Sequence, residues 1–150
     1  MNRNPSIQVR KRELAFLLVD AGRKLNDAYD VHMKPLQLSR ARWRVMAYVS
    51  RTPGISQTEL SDSIECSRMA ISSLLDRMQA AGLIERRNVH NDRRVRAVFL
   101  TENGTGLIRK MNDLAANVLQ EVFAGTSTDD REQLRSLLET IKTNATGIRK

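Results

Sequence analysis

Two short helices joined by a two-residue turn are the feature that most restricts what this chain can become. Ser56-Gln57-Thr58-Glu59 has the spacing of a capping box: the serine oxygen takes the backbone N–H three residues on, and the glutamate reaches back to the cap. A short helix with Leu60 and Ile64 inward follows. Glu65-Cys66 forms a tight turn, Ser67 caps a second helix, and Ala70, Ile71, Leu74, Leu75 and Met78 recur on its inner face. Gly82 stands where a left-handed residue closes a helix. This is the form of a helix-turn-helix. The outer face of its second helix reads Arg68, Met69, Ser72, Ser73, Asp76 and Arg77, short side chains flanked by arginines. It is either an ordinary solvated face or a surface offered to the major groove of DNA.

The next segment favours the second choice. Residues 83–87 and 95–100 are short and β-like, and the polar, turn-prone stretch 88–94 between them predicts a β-hairpin with a long loop. Arg86, Arg87, Arg93, Arg94 and Arg96 lie in and around that loop, with His90 and Asn91 at its tip. Such a wing can lay arginine along phosphates or into the narrow minor groove. Asp92 either holds a neighbouring arginine in place or is a simple turn residue.

Charge and composition agree. The net charge is +8, and between Lys34 and Lys110 the positive charge is carried by arginine alone. A basic excess calls for an acidic partner, nucleic acid or an anionic membrane. Codon bias is a second source of the arginine, but it does not explain the cluster at the wing. Aromatic residues are only 4% of the 150, so the core must come from Leu, Ile, Val, Met and Ala, which favours helices.

Long helices flank the basic segment. Leu14, Leu17, Leu18, Ala21, Leu25, Ala28 and His32 mark one face of a helix over 8–33, which Pro35 ends. Ser39 caps a helix through Trp43, Val45, Met46, Tyr48 and Val49, and Pro53-Gly54 is a turn. Thr101 caps a long helix carrying Leu107, Ile108, Met111, Leu114, Val118, Val122 and Phe123. After a break at Gly125–Thr128, Leu134, Leu138, Ile141, Ala145 and Ile148 follow at heptad spacing. A module this small cannot cover all these stripes, and a symmetric partner is the usual solution.

In order along the chain, Leu38-Ser39, Trp43-Arg44-Val45-Met46, Gln57-Thr58-Glu59-Leu60, the run Ser67 to Met78, Gly82-Leu83-Ile84-Glu85-Arg86, Asn91-Asp92-Arg93-Arg94 and Leu100-Thr101-Glu102-Asn103-Gly104 resemble the core of the MarR family of bacterial transcription regulators. The resemblance implies a mainly α fold with a small β-hairpin wing: a winged helix-turn-helix lobe over 38–101, flanked by dimerisation helices over 1–37 and 102–150. It implies a homodimer on a palindromic double-stranded DNA operator, commonly a repressor. By position, Ser67, Arg68, Met69, Ser72, Ser73 and Arg77 would face the major groove. Arg93 and Arg94 would be the wing contacts, with Asp92 orienting them. Leu14, Leu18, Leu134, Leu138 and Ile141 are the expected dimerisation residues.

Many relatives release DNA when a small aromatic acid or phenol binds beside the lobe. The candidates near that junction are His32, Met33, Trp43 and Tyr48. Core packing accounts equally for Met33 and Trp43, and a helix C-terminus for His32. Peroxide-sensing relatives carry their cysteine in the first helix, where this chain has none, so Cys66 reads as a packing residue.

Other classes fare worse. A lone cysteine and two distant histidines offer no disulfide and no metal spacing. No phosphate-cradling glycine loop or nucleophile–base motif is present, so neither an enzyme nor a cofactor is expected. No segment reads as a signal peptide or membrane span, and a cytoplasmic protein is expected. RNA fits less well than DNA, because its major groove is deep and narrow. The competing reading is a winged helix used only to bind protein, in which Arg93 and Arg94 would be dispensable.

Overall fold

A computed structural model describes residues 5–89 and 92–148, with side chains over 10–88 and 96–148. Among the described residues, six helices and three strands follow in the order α1 (Pro5–Met33), a 3-10 turn (Lys34–Leu36), α2 (Arg40–Arg51), β1 (Ile55–Ser56), α3 (Gln57–Ile64), α4 (Arg68–Ala80), β2 (Ile84–Val89), β3 (Asp92–Leu100), α5 (Glu102–Val122) and α6 (Thr128–Ile148). The fold is a winged helix-turn-helix.

The caps act as local chemistry requires. Ser39 Oγ accepts the Arg42 N–H and Ser67 Oγ accepts the Ala70 N–H. At α3 the capping box is complete: Glu59 N–H donates to Ser56 Oγ at 3.2 Å, and Ser56 N–H donates to Glu59 Oε2 at 2.8 Å. Gly82 ends α4 at φ +67°, which lets the Leu83 N–H reach back to Met78 O at 3.0 Å.

The sheet has the order β1-β3-β2 and is antiparallel throughout. Two details differ from the sequence reading. Ile55-Ser56 adds a third strand against Val98 and Ala97, too short to leave a periodic signal. The hairpin strands also run further than expected, to Val89 and from Asp92, with an irregularity between Asn88 and Val89. Backbone pairing does not depend on side-chain polarity, so the polar residues assigned to a long loop are largely strand. His90 and Asn91 lie outside the described residues.

The chain divides into two compact units, one ending at Val118 and one spanning Leu119–Lys150. The first holds the core. Val45 and Met46 of α2, Leu60 of α3, Ile71, Leu75 and Met78 of α4, and Ile84 and Val98 of the sheet are all fully enclosed. Met33 at the end of α1 and Ile108 and Met111 in α5 pack into the same cluster. In the second unit Ser127 and Asp130 form a reciprocal cap at the start of α6. Phe123, Leu134 and Leu138 there line a shallow groove of about 290 Å³.

Candidate nucleic-acid interface

Helix α4 is fixed on one side and open on the other. Ile71, Leu74, Leu75 and Met78 are buried, which anchors the helix along its length. Ala70, expected on this inner face, is instead exposed: its spacing fits the stripe, but a methyl group loses little by facing water. Arg68, Met69, Ser73 and Arg77 are exposed and Ser72 is half-buried. Met69 is 83% exposed, a large apolar side chain that gains nothing from the fold as it stands. Ser67 presents its hydroxyl as the cap, and the Arg77 Nε–H donates to Ser73 O at 3.3 Å along the helix.

The turn before α4 is held from α2. Glu65 adopts φ +56°, the left-handed conformation that reverses the chain. The last carbonyls of α3 would be left without partners there. Arg44 supplies them, donating Nη2–H to Ser63 O at 3.0 Å and Nη1–H to Ile64 O at 3.3 Å. A cation at this helix end also meets the negative pole of its dipole. Cys66 is half-buried and packs against the core. It lies beside a concavity of about 360 Å³ edged by Arg40, Arg44 and Arg77.

The wing arginines divide by strand face. Arg86 shares the face of Ile84 and is only 12% exposed in its side chain, donating to Asp76 and Gln79 of α4. It is therefore not part of the exposed charge at the loop. Period-two alternation from Ile84 is the signal that could have shown this. Arg87, on the opposite face, pairs with Glu85 and lies over the Phe99 ring at 4.8 Å. Arg96 is exposed. Asp92, Arg93 and Arg94 begin β3 by backbone, and their side chains lie outside the described residues.

The α1–α2 junction carries a network that the sequence reading missed. Arg40 donates Nη2–H to Asp27 at 2.7 Å and Nε–H to Asp30 at 2.7 Å, and Asp30 also accepts the Trp43 Nε1–H at 2.8 Å. Burial works to raise the Asp30 carboxyl, but the hydrogen bonds from Arg40 and Trp43 and the charges of Arg40 and Lys34 outweigh it and hold it below the ordinary carboxylate range. The Arg40 guanidinium is correspondingly raised, by its hydrogen bonds to Asp30 and Asp27. Trp43 is nearly buried, its ring 5.3 Å from that of Tyr29. Burial pushes the Tyr29 hydroxyl up. Met33 is in the core, Tyr48 is half-buried, and His32 Nδ1 lies 2.9 Å from Ala28 O.

The expected dimerisation residues all face outward. Leu14 and Leu18 are exposed on α1, and Leu134, Leu138 and Ile141 on α6.

A model of the MarR family matches residues 36–95, which run from the end of the 3-10 turn through the helix-turn-helix and into the wing. Over those residues the chain is similar to the MarR family. Its fold extends the match beyond those residues. The transcriptional regulator PA3341 shares 28% identity at a TM-score of 0.80, over 89% of this chain and 98% of its own. A MarR transcriptional regulator from Methanosarcina mazei Go1 is 21% identical at a TM-score of 0.78, over 91% of this chain and 99% of its own. The transcriptional repressor CouR, solved bound to a 23-mer DNA duplex, is 26% identical at a TM-score of 0.71, over 86% and 92%. Among the described residues no helix is long and apolar enough to cross a membrane.

Proposed function

We propose that this protein is a homodimeric, sequence-specific DNA-binding repressor acting in the cytoplasm. The observation that carries the reading is the outward face of α4: Arg68, Met69, Ser73 and Arg77 are exposed on a helix that is anchored behind, capped in front and preceded by a turn that Arg44 holds. Those are the requirements for a recognition helix in the major groove. Ser67 and Ser72 complete its contact set, Arg93 and Arg94 reach the DNA from the wing, and Asp92 orients them. The relative CouR is a repressor solved on a DNA duplex, which supports the same use here.

The lobe over 38–101 reads DNA, and the helices over 1–37 and 102–150 form the dimer. The exposed Leu14 and Leu18, and separately Leu134, Leu138 and Ile141, support a second copy as their cover. Two-fold symmetry then demands a palindromic operator. A small aromatic ligand releases the DNA by acting at the α1–α2 junction, where His32, Met33, Trp43 and Tyr48 lie on the two helices that Arg40 ties together.

The test is binding to a fluorescent fragment from upstream of the protein's own gene, with excess nonspecific competitor. A discrete complex that resists competitor and is lost in the Arg93→Ala/Arg94→Ala variant is the expected result. Smeared binding that competitor removes, unchanged by those substitutions at this and other candidate promoters, would reduce the basic charge to generic attraction and favour a protein-interaction module.

A further inference from the structure

Arg86 joins the two elements that the proposed function sends to the DNA. It follows Ile84 by two residues on β2, and strand alternation puts it on the face that Ile84 and Val98 take into the core. An arginine there must find its partners inside the protein. Its Nη2–H donates to Asp76 Oδ1 at 2.5 Å, and its Nε–H donates to Gln79 Oε1 at 2.7 Å. Asp76 and Gln79 are three residues apart on α4 and flank Arg77. One planar guanidinium, using two of its donors in a fixed fork, thus grips the turn of α4 that presents Arg77.

We propose that Arg86 is a positioning residue that sets the distance and angle between the recognition helix and the wing, with Asp76 and Gln79 as its receptors. The inference rests on the DNA-binding reading and adds a coupling to it. Both elements must meet the duplex in register, and the clamp supplies that register before DNA arrives. In this role Arg86 touches no phosphate, although its position in the sequence groups it with the wing arginines.

Simple electrostatics and the clamp make opposite predictions for Asp76. Its carboxylate is 60% exposed on the helix that faces DNA. Charge alone says that Asp76→Asn tightens binding, because a negative group leaves a surface that meets phosphates. The clamp says that Asp76→Asn weakens specific binding, because the guanidinium loses its ionic anchor.

The experiment uses the full-length protein, its own upstream fragment and a scrambled duplex, for wild type, Asp76→Asn, Arg86→Lys and Arg86→Gln. Affinity is measured over a salt series, and backbone amide exchange of β2 and β3 is followed without DNA. Loss of a charged hydrogen bond predicts about a tenfold drop in specific affinity for each variant, with scrambled-duplex affinity unchanged or higher. The salt dependence stays the same because no phosphate contact is lost. Amides of β2 exchange faster in all three variants, and Asp76→Asn combined with Arg86→Gln costs no more than either alone. The clamp is overturned if Asp76→Asn binds its site as tightly as wild type or more so. It is equally overturned if Arg86→Lys restores binding, as a phosphate contact would allow, or if β2 exchange is unchanged. A wild type that forms no competitor-resistant complex would sink the DNA-binding reading instead, while the exchange measurement still decides whether Arg86 holds the wing.

Discussion

Gly104→Ala sets two rules against each other. In a helix interior the exchange is worth about 1 kcal/mol in favour of alanine. At Gly104 the added Cβ would stand 2.0 Å from Leu83 O and 3.3 Å from Leu100 Cδ2. A carbon needs about 3.3 Å from a carbonyl oxygen, so the start of α5 would have to retreat by about 1.3 Å from the turn between α4 and β2. The obstacle is backbone and cannot rotate away. Leu83 O also accepts the Thr101 N–H at 3.1 Å, while Thr101 Oγ1–H donates to Gly82 O at 2.5 Å. The retreat strains both bonds. Overpacking costs about 1–3 kcal/mol, each lost hydrogen bond costs about 1, and the helix gain offsets about 1. The expected result is a net loss of about 2–4 kcal/mol.

Gly106 provides the control. It lies on the same helix with nothing within 4 Å of its added Cβ, so Gly106→Ala should stabilise by about 0.5–1 kcal/mol. Urea unfolding followed by far-UV circular dichroism, at one protomer concentration, reads both as shifts in midpoint at constant slope. Gly104→Ala as stable as wild type would refute the close approach. A loss in Gly106→Ala of similar size would show that α5 resists any added methyl, whatever its surroundings.

Acid should weaken the fold through groups that can be named. Hydrogen bonds from the Ser56 side chain and backbone hold Glu59 low, those from the Ser127 backbone and side chain hold Asp130 low, and the Arg40–Trp43 bonds hold Asp30 low against burial. A depressed carboxyl binds fewer protons folded than unfolded, so its contribution is complete above about pH 4 to 5 and fades as pH falls below that. Ser56→Ala, costing about 1 kcal/mol at neutral pH, should therefore differ less from wild type at pH 3 by urea midpoint, and an equal gap at both pH values would count against it. Arg40→Met leaves Asp27 and Asp30 without their shared cation, lets the Asp30 carboxyl rise, and moves the pH-dependent step in Trp43 fluorescence upward; an unmoved step would dissociate Trp43 from the network. Leu138→Glu combined with Ile141→Glu should convert a dimer to monomer by sedimentation, and a retained dimer would remove α6 from the interface.

The helix-turn-helix was legible because its boundaries are set by neighbours. Ser39, Ser56, Ser67 and Gly82 each act on residues three to five positions away, so spacing alone reveals them. Errors arose where the partner is distant or where residue type misleads. Asp30 meets Arg40 and Asp76 meets Arg86 across a turn or a change of element, and no periodic pattern records such pairs. Ala70 counted as apolar in the stripe but faces out. The apolar faces of α1 and α6 were plain in the sequence, since helical spacing is local, although their cover is not.

The same distinction changes how the basic charge should be read, and it can be measured. Counting arginines overstates the charge available to DNA, because Arg40, Arg44 and Arg86 are already engaged within the protein by Asp27, Asp30, Asp76 and the carbonyls of α3. Among the described residues Arg68, Arg77 and Arg96 are exposed and take part in no ion pair. Under the proposed function, Arg68→Ala should flatten the dependence of log affinity on log salt by about 0.9 per protomer. Arg44→Met should leave that slope alone and act instead through stability, because it unpairs the last carbonyls of α3. If both variants flatten the slope equally, net charge and not its placement governs the interaction. If only Arg68→Ala does, the fold has sorted its arginines into those that build the interface and those that form it.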